Sequence, residues 1–445
     1  MILRLLQAVS IALLLGFASA KAGVVVASFG VISSDPQHDL FASIGFPTNP
    51  GLSADPGATE EWPVTINLTY LQSLPDTVVL NIPNQTPETL NRIRSKSRGA
   101  NAFLWSGGSE GCSALLSAIP GAFRATISCL DGTYNVETTT TGTKLTRFVY
   151  GDPPAGAEND VATATEIPAG PDTAGTSMPE SINGPATLDQ DIDVLILYTS
   201  TVRQTLQASS INVQQYMQDT LDTTQLAMDR STTPGQPTIA TLNLVHSQEV
   251  LRPDTGYFTA DVVYLQNDPE PVGIRNQWAA DIVMYIRETS ADSSVCGRAY
   301  VPGSYGTLPP PGPGFAPYAV GVTKRTCSFS GYPFEHEFGH IFGANHDPAN
   351  SNNSTPLQPW AYAHWANNLN KDGARTLVAY KDSNCISPCN QVLNYSNASV
   401  SLTIPWTFRT GRVDQRENAR VIAQYASTTA QYRASLDRIF ANGFE

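Results

Sequence analysis

The chain has 445 residues, 41% hydrophobic and 15% charged, with a formal net charge of −13 from 39 acidic and 26 basic side chains. That length allows two or three domains, and that composition supports a buried core and excludes an intrinsically disordered chain. The acidic balance argues against nucleic acid or an anionic membrane as the main partner.

Residues 1–20 read as a secretory signal. Arg4 supplies the positive start, Ala8 to Phe17 is an apolar run broken only by Ser10, and Ala18-Ser19-Ala20 is a small-x-small cleavage site. The apolar run is too short to cross ~30 Å of hydrocarbon, and no later stretch is long enough. The expectation is a secreted or periplasmic protein that begins near Lys21 and has no membrane span; its oligomeric state is not legible. Six cysteines suit an oxidising compartment. They allow fifteen pairings. Closeness in sequence points to Cys112 with Cys129, Cys296 with Cys327 and Cys385 with Cys389; the alternative leaves one or two of them free and buried.

Residues 21–150 are rich in β-branched and turn residues, as at Val24-Val25-Val26, Thr77 to Leu80 and Thr138 to Thr141. They predict a small β-rich domain with one helix over Pro87 to Ser97. Residues 151–190 form a polar linker punctuated by Pro153-Pro154, Pro168 to Pro171 and Gly184-Pro185. At Ile192 the character changes. Ile192 to Tyr198 is an almost unbroken apolar run, the mark of a strand buried on both faces. A helix over Val213 to Ser231 follows, then a strand over Thr238 to Val245. Helical pieces at Val262–Asn267 and Val272–Trp278 and a strand over Ala280 to Ile286 come next. Strands alternating with helices predict an α/β sheet over 191–436. The Pro-rich loop Leu308 to Phe315 can continue neither element.

The segment His336-Glu337-Phe338-Gly339-His340-Ile341-Phe342-Gly343-Ala344-Asn345-His346-Asp347 carries the chemistry. Positions i and i+4 share a helix face, so His336 and His340 can aim at one metal ion. Gly343 allows a sharp turn that brings His346 round as a third ligand. Three protein ligands leave a position open for water, as in a catalytic zinc site. Glu337 is then placed to take a proton from that water as general base. Phe334, Phe338 and Ile341 lie at core-packing spacing, and His38, His246 and His364 have no partners at metal spacing. No pattern supports a calcium ion in addition.

This segment resembles the zinc signature of the metzincin metalloproteases, HExxHxxGxxH, and Asp347 after it is similar to the reprolysin (adamalysin) branch and its secreted bacterial members. The resemblance extends over roughly residues 190 to 436. It implies a mixed twisted α/β sheet with an active-site helix, one zinc ion, and hydrolysis of protein or peptide substrates. Gly297, Arg298, Ala299 and Tyr300 would lie on the edge strand to which an extended substrate adds. Arg375 to Tyr380 is similar to the family's turn below the metal, and Glu417 to Arg420 to the start of its last helix. The resemblance implies that Tyr380 lies near the zinc, where its hydroxyl can assist, or else serves as a core aromatic. Val378 stands where the family carries methionine. The tail 437–445 departs from the family and is similar to short tails of exported proteobacterial proteins. The layout of a β-rich domain, a linker and a protease domain is that of a zymogen, with residues 21 to about 150 over the cleft.

Two other readings compete. Gly107-Gly108-Ser109-Glu110-Gly111 matches the G-x-S-x-G nucleophile elbow between a strand-like run and a helix-compatible run, Ser113 to Ile119. The histidines that could complete a triad have no recognisable triad context. The altered turn at Val378 would also suit a catalytically silent binding protein on a protease fold, although Glu337 and all three histidines are present.

Overall fold

The computed structural model describes residues 36–49, 57–129, 131–151, 161–162 and 191–433, the last with short breaks at 255, 293, 304–307, 328–329, 352–355, 369–372, 381–384, 387–388 and 405. The expected signal, Val24 to Val26, nearly all of the linker and the tail lie outside the described residues. The amino-terminal part runs β1 (Phe41–Ile44), β2 (Ala58–Ile66), the single turn α1 (Leu68–Leu71), β3 (Thr77–Leu80), β4 (Glu88–Gly99), β5 (Ala102–Gly108), β6 (Cys112–Ile119), β7 (Ala122–Cys129), β8 (Gly132–Thr139) and β9 (Gly142–Phe148). These nine strands form one antiparallel sheet in the order β1-β2-β9-β8-β7-β6-β5-β4-β3.

That sheet closes on itself. Leu40 N–H donates to the Val79 carbonyl at 2.8 Å, and Val79 N–H to the His38 carbonyl at 2.9 Å. The Asn81 side chain continues the seam, accepting from Phe41 N at 3.0 Å and donating to Phe41 O at 2.8 Å. Closure removes the unpaired edges that would invite other chains. Phe41, Trp62, Phe103, Trp105, Leu116, Phe123, Ile127 and Val136 pack inside this barrel.

The structure corrects two expectations here. Pro87–Ser97 is not a helix but most of the strand β4, and Ser113–Ile119 is not helical but lies in β6. In β4 only Leu90 is buried, so the run has no apolar stripe of either period. Pairing with β3 and β5 on its two sides sets its conformation, and that information is non-local. The G-x-S-x-G segment is therefore the turn of a strand–strand hairpin, not a strand-to-helix elbow. Ser109 Oγ accepts from Cys112 N at 2.9 Å and donates to Glu88.

The second part starts with β10 (Val161–Ala162) and β11 (Asp191–Thr199), then α2 (Ser200–Ala208), α3 (Val213–Arg230), β12 (Thr241–Val250), α4 (Phe258–Asn267), α5 (Pro269–Gln277), β13 (Ile282–Arg287), β14 (Gly297–Tyr300) and β15 (Val320–Lys324). It continues with α6 (Pro333–Ile341), β16 (Trp365–Asn367), β17 (Gly373–Arg375), β18 (Asn390–Gln391), β19 (Ser401–Ile404), β20 (Trp406–Arg409) and α7 (Asn418–Thr429). The six-stranded sheet has the order β10-β14-β15-β13-β11-β12. Its strands β12, β11, β13 and β15 are parallel and β14 runs against them. All six residues of β13 are buried, as are Val194 to Thr199 of β11, which matches a strand covered on both faces. The strand expected over Thr238–Val245 is β12, displaced to start at Thr241. Helix starts follow capping chemistry: Asn212 accepts from Gln215 N at the head of α3, and Asp268 from Glu270 N before Pro269 in α5. The structure pairs Cys112 with Cys129, Cys296 with Cys327 and Cys385 with Cys389.

His364 lies beyond α6, its ring stacked on Phe408 with centroids 5.9 Å apart. Burial, aided by Arg412 and Arg416, pushes its pKa down to about 3. An unfolded chain takes up that proton near pH ~6.5. Between those values the folded state binds fewer protons, so stability rises with pH. The contribution is whole above about pH 6.5 and is lost as pH falls from there towards 3. Substituting His364→Phe should flatten the acid-side loss of stability, read as urea midpoints of the metal-free protein at pH values of about 7.5, 6 and 5. Parallel losses in both proteins would refute the assignment.

Candidate active site

The helix α6 is short, and all nine of its residues are buried. Pro333 starts it where a missing N–H costs nothing. Gly339 must be glycine, because a Cβ there would lie 2.6 Å from Tyr395 Cε1 and 3.3 Å from Val378 Cγ2. Tyr395 holds the other end of the helix by donating its hydroxyl to the Glu335 carbonyl at 2.6 Å. Burial pushes the Glu335 carboxyl up to about 8, so it is largely protonated at neutral pH. At Gly343 the chain turns with φ +94°, and a Cβ would meet Leu357 Cδ2 at 2.8 Å. Only glycine suits that position.

The turn brings the three histidines together. His346 Nε2 lies 3.2 Å from His336 Nε2 and 3.1 Å from His340 Nε2. All three side chains are buried, and their ligand atoms fall within 4.8 Å of one another. His340 Nδ1 lies 2.7 Å from the Ala344 carbonyl, and His346 Nδ1 lies 3.2 Å from the Asn350 carbonyl. Donation from Nδ1 to a carbonyl leaves Nε2 as a lone pair. Two lone pairs that face each other repel unless a cation lies between them. Tetrahedral zinc with bonds of ~2.0–2.1 Å sets its nitrogen ligands about 3.3 Å apart, so the donor set fits that ion.

Asp347 ties the third histidine to the turn below. Its carboxylate accepts from Ala349 N at 3.2 Å, from Asn350 Nδ2 at 2.9 and 3.0 Å, and from Tyr380 N at 3.3 Å. Asn350 in turn offers the carbonyl that orients His346. The Tyr380 ring packs against both His336 and His346, with centroids 5.5 and 4.7 Å away. Tyr380 also touches the buried cysteines Cys296 and Cys327, whose bond closes a separation of 31 residues. Closing such a loop stabilises the fold by about 4 kcal/mol in the chain-entropy picture. It fixes the entry of β14 against the segment that leads into α6.

β14 crosses in front of Glu337. A Cβ at Gly297 would lie 2.5 Å from Glu337 Cγ and 2.6 Å from its Oε1, so the carboxylate lies against bare backbone. Side chains alternate along a strand, so Gly297 and Ala299 face α6 while Arg298 and Tyr300 face α4. Tyr300 accordingly donates its hydroxyl to Gln266 of α4 at 3.2 Å. Val161 and Ala162 pair in parallel with Ala299 and Tyr300, and Arg298 Nη1 reaches the Val161 carbonyl at 3.5 Å. The close packing at Gly297 and this pairing were not read from the sequence; a dipeptide inside a polar linker carries no periodic signal.

The family model Reprolysin_5, Metallo-peptidase family M12, matches residues 189–394. Residues 189–394 thus match a reprolysin-like metallopeptidase domain. Among curated relatives it is 28% identical over 202 residues to a peptidyl-Asp metalloendopeptidase of Stenotrophomonas maltophilia, covering 43% of this chain and 43% of the relative. It is 29% identical over 199 residues to one of Xanthomonas campestris pv. campestris, covering 43% of this chain and 42% of the relative. The alignments thus span less than half the length of these relatives. Metalloproteinase-II from Bacteroides fragilis superposes at a TM-score of 0.38 with 12% identity, covering 63% of this chain and 85% of its own.

Among the described residues of 189–394, Ser210, Ala279, Val378 and Cys389 have a left-handed backbone, and of these Val378 alone is β-branched. Val378 is wholly buried and has φ +66°, a left-handed conformation in which a β-branched side chain is strained. The strain is roughly 1–2 kcal/mol. Replacing Val378→Met would ease it, while the added volume would cost about 1–3 kcal/mol, reduced by the thioether's flexibility. These effects nearly cancel. The melting transition should move by no more than the equivalent of about 1 kcal/mol and zinc affinity by less than about threefold, since no ligand atom changes. Loss of zinc binding in the methionine variant would show that the turn positions the histidines more tightly than argued.

Proposed function

We propose that this chain is an exported, zinc-dependent endopeptidase made as a latent precursor. The convergence of His336, His340 and His346, with Glu337 pressed against β14, which β10 covers, carries that reading. The three Nε2 atoms would hold zinc. When bound, zinc supplies Lewis acidity to the scissile carbonyl and lowers the pKa of a water to ~7. Glu337 takes the proton of the attacking water at its carboxylate and delivers it to the leaving amine. The backbone of β14 pairs with the substrate peptide, which positions the scissile bond with little regard to sequence. The Tyr380 hydroxyl donates to the carbonyl oxygen as charge builds there. Residues 1–20 direct export.

Latency follows from the pairing of Val161 and Ala162 with Ala299 and Tyr300. A strand in that position competes for the hydrogen bonds a substrate needs. The barrel, by contrast, docks on α3, so residues 161–162 rather than 21 to about 150 act as the plug. Replacing Val161→Pro and Ala162→Pro removes two N–H donors and should raise the activity of the uncut precursor roughly tenfold. Unchanged latency in that variant would exclude the strand as the plug.

The central test is Glu337→Ala. It should keep about one zinc per chain while turnover falls by roughly 10²–10⁴-fold. Gly297→Ala should also keep zinc and lose turnover, because the added methyl displaces the carboxylate. Zinc content and cleavage of a peptide with an internal aspartate, beside its asparagine counterpart, are measured with and without chelator. Full turnover in Glu337→Ala would overturn the mechanism.

A further inference from the structure

We infer that α3 is a charge-complementary docking surface for the chain's own β-barrel, and that the barrel stays seated there as a separate fragment after the linker is cut. The inference rests on the latent-precursor reading only for the cut itself.

One stripe of α3 faces the barrel. Gln215, Asp219, Asp222 and Asp229 recur at spacings of three, four and seven residues, which share a helix face. Each acid meets an arginine from the barrel. Arg124 of β7 reaches Asp219 at 3.2 Å, Arg94 of β4 grips Asp229 through two bonds of 3.1 Å, and Arg98 of β4 pairs with Asp222. Gln215 donates to Ser117 of β6 at 3.1 Å. In these three pairs the acid is on the helix and the base on the barrel, and Arg124 is shared with Glu137 of β8 at 3.2 Å.

Apolar contact and close fit accompany the charges. Trp105 and Leu116 point into the barrel core, but their neighbours Leu104 and Leu115 join the core of the metallopeptidase domain. β5 and β6 are therefore covered on both faces, where an antiparallel strand commonly keeps one face wet. At the end of α3, Arg230 Nη1 lies 3.4 Å from the Ser109 carbonyl and 3.3 Å from the Cys112 carbonyl. It approaches so closely that a Cβ on Gly108 would lie 2.2 Å from it. These contacts involve neither the three histidines nor Glu337. A cut between 163 and 190 frees the carboxyl side of β10, whose own hold on β14 is a two-residue ladder, and leaves the α3 interface untouched.

The experiment replaces residues 172–177 of the full chain with the recognition sequence of an unrelated site-specific protease, cuts the purified protein, and follows both fragments by size exclusion with light scattering. At about 0.15 M salt, where charges on a wetted face are only partly screened, the fragments should co-elute one to one. The triple variant Arg94→Glu, Arg98→Glu, Arg124→Glu should separate on cutting, a loss of affinity of at least roughly a hundredfold. Adding Asp219→Arg, Asp222→Arg and Asp229→Arg should restore the complex. Circular dichroism before cutting verifies that each variant is folded, and the charge-swapped variant tests pairing independently of any fold defect. Separate elution of the unsubstituted fragments overturns the inference, and so does co-elution of the triple variant. Peptidase activity read in the same fractions keeps the two proposals apart: zinc-loaded fractions without activity would count against the peptidase reading and leave the docking result standing.

Discussion

The rest of the structure depends on one constraint: three buried imidazoles converge on a single point, with His346 Nε2 3.1–3.2 Å from the other two. Where these nitrogens face one another as lone pairs they repel, so the surroundings must impose the arrangement or a cation must join it. Carbonyls of Ala344 and Asn350 fix two of the rings. Gly343 supplies the turn, and Gly339 lets Tyr395 and Val378 press the helix from below. Each of these choices is unfavourable or indifferent to an ordinary helix. Together they fit a cradle for a metal.

The same logic explains why so much of the chain after α6 is irregular yet buried. The turn at 376–380 has little secondary structure of its own. It is held by Asp347 from one side and by the Cys296–Cys327 bond through Tyr380 from the other. Asp347 links this turn to Asn350, and Asn350 to His346, so a shift in the turn is felt at the third ligand. That coupling gives a physical reason for a wholly buried residue at Val378 to keep a left-handed backbone: relaxing it would move Ala379 and Tyr380.

How much was legible in the sequence followed from how local the information is. The histidines and Glu337 lie within eleven residues, and helix periodicity alone brings the first two together. Ile192 to Tyr198 and Ala280 to Ile286 are apolar on both faces and stand out without a partner. Pro87 to Ser97 is different. Its conformation comes from β3 and β5, and its Arg94 makes sense only when α3 lies across from it. Gly297 likewise looks like any glycine until Glu337 is placed against it. The barrel's closure through Asn81 leaves no periodic trace, because a single side chain stands in for a stretch of ladder.

The polar character of the α3 face bears on what it can do. Partly buried ion pairs such as these gain little net free energy, because desolvation offsets much of the attraction, whereas breaking one partner away leaves a costly lone charge. Three acids opposed by three arginines therefore specify where the barrel sits more than how tightly it is held. Tightness falls to Leu104 and Leu115, which an exposed barrel would have to surrender to water, at roughly 1.5–3 kcal/mol each. A face built in this way suits a partner that must find one register and keep it without fusing into the core. That would be the situation of the proposed latent precursor, in which release of β10 from β14 need not disturb the contact between barrel and α3.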